Sequence, residues 1–429
     1  VILVILGIVI FFLGLLLSIA WHELGHLSTA KMFGIKVNQY MVGFGRTIFS
    51  RKGRETEYGV KAIPFGGYIR MIGMFPPKKD EAYGRTASSS PWRSMVEDAR
   101  QAVAEEVRPE EAHRQFYQRS PWKRIIVMFA GPFMNLLLAF GIFTGILMGY
   151  GLPEPTTTVK SVSECVVSAK AQVEQGECPP GAPKSPAAEA GLRLGDEIVA
   201  FNGEPVRSWN QLQTSIRNAS GTVSLTVERD GQRRTLTPTL MQSTQPKIGE
   251  QDEYVKVGFL GFSPTRHLVQ QGFGDVVGRV GEMVGMTAQK IVQLPQRVPG
   301  LVGAIAGQER EDDSPMGIVG VSRIGGQVLS YDEASIGARL ITMLNLLAAV
   351  NLSLFALNML PILPLDGGHI AGALWESIRR KFARLVRRPD PGPFDTAKLM
   401  PLAYGVSLVF IAYSLLVLVA DVVNPVTLY

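Results

Sequence analysis

His22-Glu23-Leu24-Gly25-His26 places two imidazoles four residues apart, with a carboxylate beside the first. On a helix that spacing puts both rings on one face, where they can grip a single metal ion. The intervening glutamate is then placed to take a proton from water activated by the metal. The alternative is a polar cluster at a helix end. It would leave three ionisable side chains at the edge of the uncharged stretch 1–20, a costly position in a bilayer unless they serve a function. The chain has only five histidines, and two of them are here. A catalytic zinc commonly takes three protein ligands and keeps one position for water. A third donor must therefore come from elsewhere. Leu365-Asp366-Gly367-Gly368-His369 supplies two candidates, Asp366 and His369, at the end of another uncharged stretch. The competing reading of the Asp-Gly pair is a simple turn that ends a helix.

These residues need elements to hold them. Four stretches carry no charge at all, 1–20, 125–153, 340–365 and 399–420, and each is long enough for a helix to cross about 30 Å of hydrocarbon. The expected fold class is an α-helical membrane protein with four transmembrane helices at 1–33, 124–152, 336–366 and 399–423. The first stretch lacks the basic n-region and small-residue cleavage site of a signal peptide. Composition alone, 46% hydrophobic and 19% charged, hides this segregation. Lys and Arg outnumber Asp and Glu by 18 to 10 in residues 27–124 and by 7 to 3 in 367–398, but number 18 against 21 in 151–339. Positive flanks favour the cytoplasm, so 27–124 and 367–398 are expected inside, and 151–339 outside. Both chemical motifs then fall towards the same cytoplasmic face. The same topology accounts for the basic loops without nucleic acid, which is not expected as a partner.

Between the spans, stretches 42–49 and 57–71 are apolar and punctuated by glycine, separated by the turn-like Arg51-Lys52-Gly53-Arg54. Residues 42–72 read as a small membrane-associated sheet, and 73–123 as a cytoplasmic loop with a helix around 93–106. In the outer region, Ala190-Gly191-Leu192-Arg193-Leu194-Gly195-Asp196-Glu197-Ile198 leads through Val199, Ala200 and Phe201 into Asn202-Gly203. A helix at 209–217 and strands at 223–228 and 233–238 around Asp230-Gly231 are expected to follow. Residues 156–243 resemble a PDZ-like α+β domain, whose groove accepts peptides as an added strand. Phe259-Leu260-Gly261-Phe262 reads as an ordinary strand. Residues 244–335 are expected to hold this strand and an amphipathic helix over 265–300, lying on the membrane surface or packed on the PDZ-like module. Residues 367–398 read as a cytoplasmic loop. Cys165 and Cys178 both fall in the outer region, where disulfides persist. Sequence leaves a bridge, contributing about 3 kcal/mol, and two separate thiols equally open.

The metal motif, Gly131-Pro132-Phe133-Met134-Asn135, the PDZ-like module and Asn358-Met359-Leu360-Pro361-Ile362-Leu363-Pro364-Leu365-Asp366-Gly367 occur in order from the first span to the last. Together they resemble the site-2 protease family of intramembrane zinc metalloproteases (M50 type). The single module and outer cysteines are most similar to actinobacterial members that cleave anti-sigma factors. The resemblance implies Zn2+ held by His22, His26 and Asp366, with Glu23 as general base. It implies substrate contacts by Asn358 and by a re-entrant sheet carrying Gly43, Phe44, Gly45, Pro64, Gly66 and Gly67. For Asn135 the residues themselves favour interhelical hydrogen bonding, and for Asn358 they leave that reading and a substrate contact equally open. The implied substrate is a single-span membrane protein already cut by another protease, such as an anti-sigma factor. The implied location is the plasma membrane, with the active site towards the cytoplasm and the PDZ-like domain outside, excluding untrimmed substrates by size. A binding protein that has lost its activity would show a broken metal motif. A transporter would be expected to show internal repeats of its spans. Neither feature is found in the sequence.

Overall fold

The computed structural model describes residues 2–76, 96, 107–165, 182–247, 250–311, 313–332 and 334–426, with backbone alone at 64–65, 245–247 and 250–254. The opening helix α1 (Ile2–Met32) is 31 residues long. At 1.5 Å per residue that is about 46 Å, enough to cross the bilayer and project beyond it. Strands β1 (Val37–Lys52) and β2 (Glu57–Met71) follow and form a two-stranded sheet with repeated register shifts. Both strands bend, so residues 37–42 of β1 pair with 67–71 and also with 57–60, while 47–52 fold back onto 57–61. β1 thus starts five residues before the glycine-rich stretch that marks it in the sequence. Short 3-10 turns at Pro109–Arg114 and Phe116–Gln118 brace the base of this sheet. Arg114 forks onto Glu55 at 2.7 and 2.9 Å, and those hydrogen bonds hold the Glu55 carboxyl below its ordinary range. The helix expected around 93–106 lies outside the described residues, apart from residue 96.

Helix α2 (Pro121–Thr144) opens with a proline in its first turn, where a missing N–H costs nothing. It then runs on as π-helical turns over Gly145–Tyr150. It crosses α1 at close range. A Cβ on Gly25 would sit 2.4 Å from the Ala130 carbonyl oxygen, so only glycine permits this backbone approach.

Residues Leu147–Gln271 form a compact unit, and Val1–Ile146 with Gly272–Tyr429 form the other. In the first of these, strands β3 (Leu152–Val162), β4 (Glu197–Phe201), β7 (Leu225–Arg229), β8 (Gln232–Leu236) and β11 (Phe262–Val269) make a sheet in the order β11-β3-β4-β7-β8. The short β5 (Glu204–Pro205) pairs at its side, and β6 (Gly221–Thr222), β9 (Thr239–Lys247) and β10 (Glu250–Phe259) form a second sheet. Helices α3 (Pro186–Glu189) and α4 (Trp209–Asn218) are each capped by a serine hydroxyl, Ser185 accepting from the Ala188 amide and Ser208 from that of Gln211. Val159, Ile198, Leu212, Leu225 and Val227 are fully buried between them. Asp230 and Gly231 both have positive φ, 52° and 73°, as the tight β7–β8 hairpin requires. Burial pushes the Asp196 carboxyl up. Arg229, at 2.6 and 2.7 Å, and the Arg193 amide outweigh this and hold it below its ordinary value.

Two expectations change here. β9 to β11 complete this unit through residue 269, so 244–335 is not a separate region. Phe259 to Phe262 is a corner between β10 and β11, turning at Gly261 with φ of 90°. Cys165 is disulfide-bonded, and Cys178, its expected partner, lies outside the described residues.

Helix α5 (Phe273–Val292) groups with the apolar helices, burying Val276 and Val280. After α6 (Val298–Ile305) comes α7 (Ile318–Ser330), which presses Gly325 and Gly326 onto α1 beside Phe11 and Val4. Then follow α8 (Ile336–Asn358), α9 (Asp366–Leu385) and α10 (Met400–Val423). Asp421 of α10, fully buried, accepts from Arg310 at 3.0 Å and from the Gly317 and Gly320 amides at 2.8 and 2.9 Å, tying α10 to the start of α7. Among the described residues, four helices are long and apolar enough to cross a membrane: Ile2–Met32, Pro121–Tyr150, Ile336–Asn358 and Thr396–Val423. The third ends eight residues before Asp366 because Pro361 and Pro364 interrupt the helical hydrogen bonds. Residues 366–385 are helix α9 rather than loop, with apolar side chains on one face and Glu376 buried on another.

Candidate active site

His22, Glu23 and His26 lie on the inward face of α1, all buried. Asp366 is the first residue of α9. His22 Nε2 and His26 Nε2 are 3.1 Å apart, and each is 3.3 Å from Asp366 Oδ2. The edge of a tetrahedron of ligands about 2.0–2.1 Å from a zinc ion is about 3.3–3.4 Å. Three donors at that mutual spacing therefore fit one metal ion. Among the described residues these are the only three histidine, cysteine or acidic side chains whose ligand atoms converge in this way. His369, the other candidate from the sequence, is not part of the set.

The atoms around the rings support the same conclusion. His26 Nδ1 lies 2.8 Å from the Val127 carbonyl oxygen. A carbonyl can only accept, so Nδ1 carries the proton and Nε2 presents its lone pair to the cluster. His22 Nδ1 lies 3.2 Å from the Asn135 carboxamide, whose other terminal atom is buried without a partner among the described residues. Amide oxygen and nitrogen are interchangeable in shape. With the oxygen towards the ring, Asn135 accepts Nδ1–H and leaves the His22 Nε2 lone pair free, as a metal ion held there would require.

Space is tight around these groups. A Cβ on Gly131 would stand 2.1 Å from His26 Nε2. A Cβ on Gly67 would stand 2.9 Å from Glu23 Cγ, so β2 passes directly beside the glutamate. Hydrogen bonds from Trp21 to the Met134 carbonyl (3.0 Å), from Tyr40 to the Ala20 carbonyl (2.7 Å) and from Asn351 to Ser18 (2.9 Å) lock α1 to α2, to the sheet and to α8.

The remaining expected residues divide. Gly67 is brought to Glu23, and Gly66 lies beside it, where its Cβ would meet the Phe44 ring. Gly43, Phe44 and Gly45 form the bend of β1, with both glycines at positive φ, and Phe44 stacks on Tyr68 at 6.0 Å. Pro64 lies in β2, its side chain outside the description. Asn358 ends α8 and donates back to the Leu354 carbonyl at 3.0 Å. No hydrogen bond among the described residues joins it to the histidines or Asp366. Asn135, read from the sequence as an interhelical hydrogen-bonding residue, does bond from α2 to α1, and its partner there is the His22 ring. The signal was present in its spacing, four residues after Gly131, which packs on the second ring.

The sequence pattern of peptidase family M50 matches residues 10–387. The chain is 35% identical over 435 residues to zinc metalloprotease Rip1 of Mycobacterium tuberculosis, covering 99% of this chain and 98% of that protein. It is 32% identical over 438 residues to zinc metalloprotease Rip1 of Mycolicibacterium smegmatis, with 99% of each covered. Metalloprotease MmpA of Caulobacter vibrioides is 28% identical over 377 residues, 84% of each chain. The matched span includes all three converging donors and Glu23, and with relatives aligned from end to end, this chain belongs to peptidase family M50.

Proposed function

We propose that this chain is a site-2 protease that hydrolyses peptide bonds of single-span membrane proteins at the His22, His26 and Asp366 cluster, with Glu23 as general base. The observation that carries this reading is the tetrahedral spacing of three ligand atoms beside a buried carboxylate. The chain is a zinc-dependent metalloendopeptidase and a multi-pass membrane protein. His22, His26 and Asp366 would hold Zn2+, which would supply Lewis acidity towards water and a peptide carbonyl. Glu23 takes the proton of the attacking water and returns it to the leaving amine. Val127 and Asn135 keep the two rings in the tautomer that offers Nε2.

A substrate helix hides its carbonyls in its own hydrogen bonds and must unwind before it can be cut. Residues 67–71 of β2 pair with β1 on one side among the described residues, and Gly67 adjoins Glu23. That edge is suited to hold the unwound segment as an added strand, with Gly43, Phe44, Gly45, Pro64 and Gly66 shaping the sheet and Asn358 contacting the chain. The distribution of Lys and Arg supports a plasma-membrane topology with this site towards the cytoplasm. The paired sheets and capped helices of Leu147–Gln271 support its reading as an extracytoplasmic PDZ-like domain. Resemblance to actinobacterial site-2 proteases favours an anti-sigma factor, already trimmed by another protease, as substrate.

The test is cleavage of a candidate single-span substrate in lipid by the wild type and by Glu23→Gln, with zinc quantified in both. Only the wild type is expected to cut, and both should hold about one zinc per chain. Cleavage by Glu23→Gln at the wild-type rate would remove the general-base role. Absence of metal from both would favour a binding protein.

A further inference from the structure

Helix α9 does more than carry Asp366. Its first turns lie along α2, where Ile370 packs with Val127 and Met128. One turn and a half later, Glu376, fully buried, accepts from Arg124 of α2 and from the Phe394 amide at 2.8 Å. Arg124 immediately precedes the uncharged stretch of α2, so this ion pair marks the depth at which the apolar span ends. The second half of α9 continues past that level. Along α9, Leu374, Ile378, Phe382 and Leu385 share one face about a quarter of the helix wide, with Trp375 at its border, and the last three of the four lie past that level. All five are exposed, Phe382 at 62% and Leu385 at 82%.

The charge around this face is one-sided. Residues 377–389 hold Arg379, Arg380, Lys381, Arg384, Arg387 and Arg388, and no acidic residue. Arg380 is held by Glu376 at 3.0 Å, and Arg379 donates to the Pro391 carbonyl. Lys381, Arg384, Arg387 and Arg388 are exposed, and among the described residues no carboxylate pairs with them. An apolar stripe flanked by unpaired cations, starting where a span leaves the hydrocarbon, has the chemistry of a helix seated in the headgroup layer of an anionic leaflet. The apolar side chains enter the acyl boundary while the guanidinium and ammonium groups meet lipid phosphate.

We propose that the second half of α9 is a lipid-binding element that docks on the anionic surface of the membrane in which the protein sits. Because Asp366 begins the same helix, the docked segment steadies the metal site from its far end. This holds independently of which substrate the enzyme cuts.

The full chain is reconstituted in phosphatidylcholine vesicles with or without about one-third phosphatidylglycerol. It is spin-labelled at Ile378→Cys, Phe382→Cys or Leu385→Cys, with the unsubstituted chain as the labelling background. In anionic vesicles all three labels should collide with dissolved oxygen and be shielded from an aqueous nickel complex. In a second chain, Lys381, Arg384, Arg387 and Arg388 are all replaced by Gln, with bound zinc confirming an intact fold. There the nickel accessibility at 385 should rise about threefold or more. Labels open to nickel in anionic vesicles would place the helix in water and overturn the proposal. Shielding from both reagents would mean that a protein, a second copy included, covers the face. Shielding unchanged by lipid charge and by the Gln substitutions would also overturn it.

Discussion

Asn135 and Val127 each hold one ring nitrogen of His22 and His26, the proposed metal ligands, and neither belongs to the converging donor set itself. Such outer contacts set which nitrogen bears the proton, and removing one commonly costs about 10–100-fold in metal affinity. Asn135→Ala should weaken zinc binding by that order, measured by competition with a chelator, while leaving Glu23 in place. Gly131→Ala should be more severe, because its Cβ would stand 2.1 Å from His26 Nε2 and push the ring off the site. Its zinc content after purification is expected to be far below one per chain. His22, Glu23 and His26 were legible because a helix converts spacing into a shared face. Asn135 was legible only as a polar residue in an apolar span. What it bonds depends on how α1 and α2 cross, and that crossing is set by the close approach at Gly25, which residue types alone do not reveal.

At the scale of elements, the uncharged run 340–365 hides a break. Hydropathy treats Pro361-Ile362-Leu363-Pro364 as apolar, but two prolines three residues apart cannot continue a helix. Asp366 is therefore presented by the first turn of a new helix, where the unpaired amides favour a negative side chain. The strands and turns of Leu147–Gln271 were easier to read, since the pairs Asn202-Gly203 and Asp230-Gly231 take the positive φ values that such turns demand. The β1 bend was less so, because its double pairing with β2 depends on register shifts along both strands. Asp196 gives a test of this unit. Its carboxyl is held below the ordinary value of 3.8 in the fold, so its contribution to stability is complete above the unfolded value and is lost as pH falls through the folded one. The stability advantage of the wild type over Asp196→Asn, measured as the difference in thermal midpoint, should shrink steadily below about pH 4. An advantage independent of pH would contradict the ion pair with Arg229.

For the whole molecule, segregation of charge predicted four spans, and among the described residues four helices meet the length and apolarity needed. The pieces between them were less legible. Helix α7 has no long apolar run, and its place against α1 depends on Gly325 and Gly326 meeting that helix closely. Its other anchor is the buried Arg310 and Asp421 pair, made across 111 residues. Breaking such a pair by removing one partner typically costs about 3–5 kcal/mol. Arg310→Leu should lower the thermal midpoint of the purified protein and expose the C-terminal helix to protease. Arg310→Leu combined with Asp421→Leu should recover part of that loss, since no charge is then left unpaired.

The three donors are far apart in the chain, His22 and His26 from α1 and Asp366 from α9. A ribosome making this protein has released two of them long before it reaches the third. Until residue 366 has been synthesised and α9 has folded against α2, the growing polypeptide holds an incomplete ligand set and no competent centre. On the proposed ligand set the enzyme is silent until Asp366 has been made, and a product truncated before that residue should neither bind zinc nor cleave.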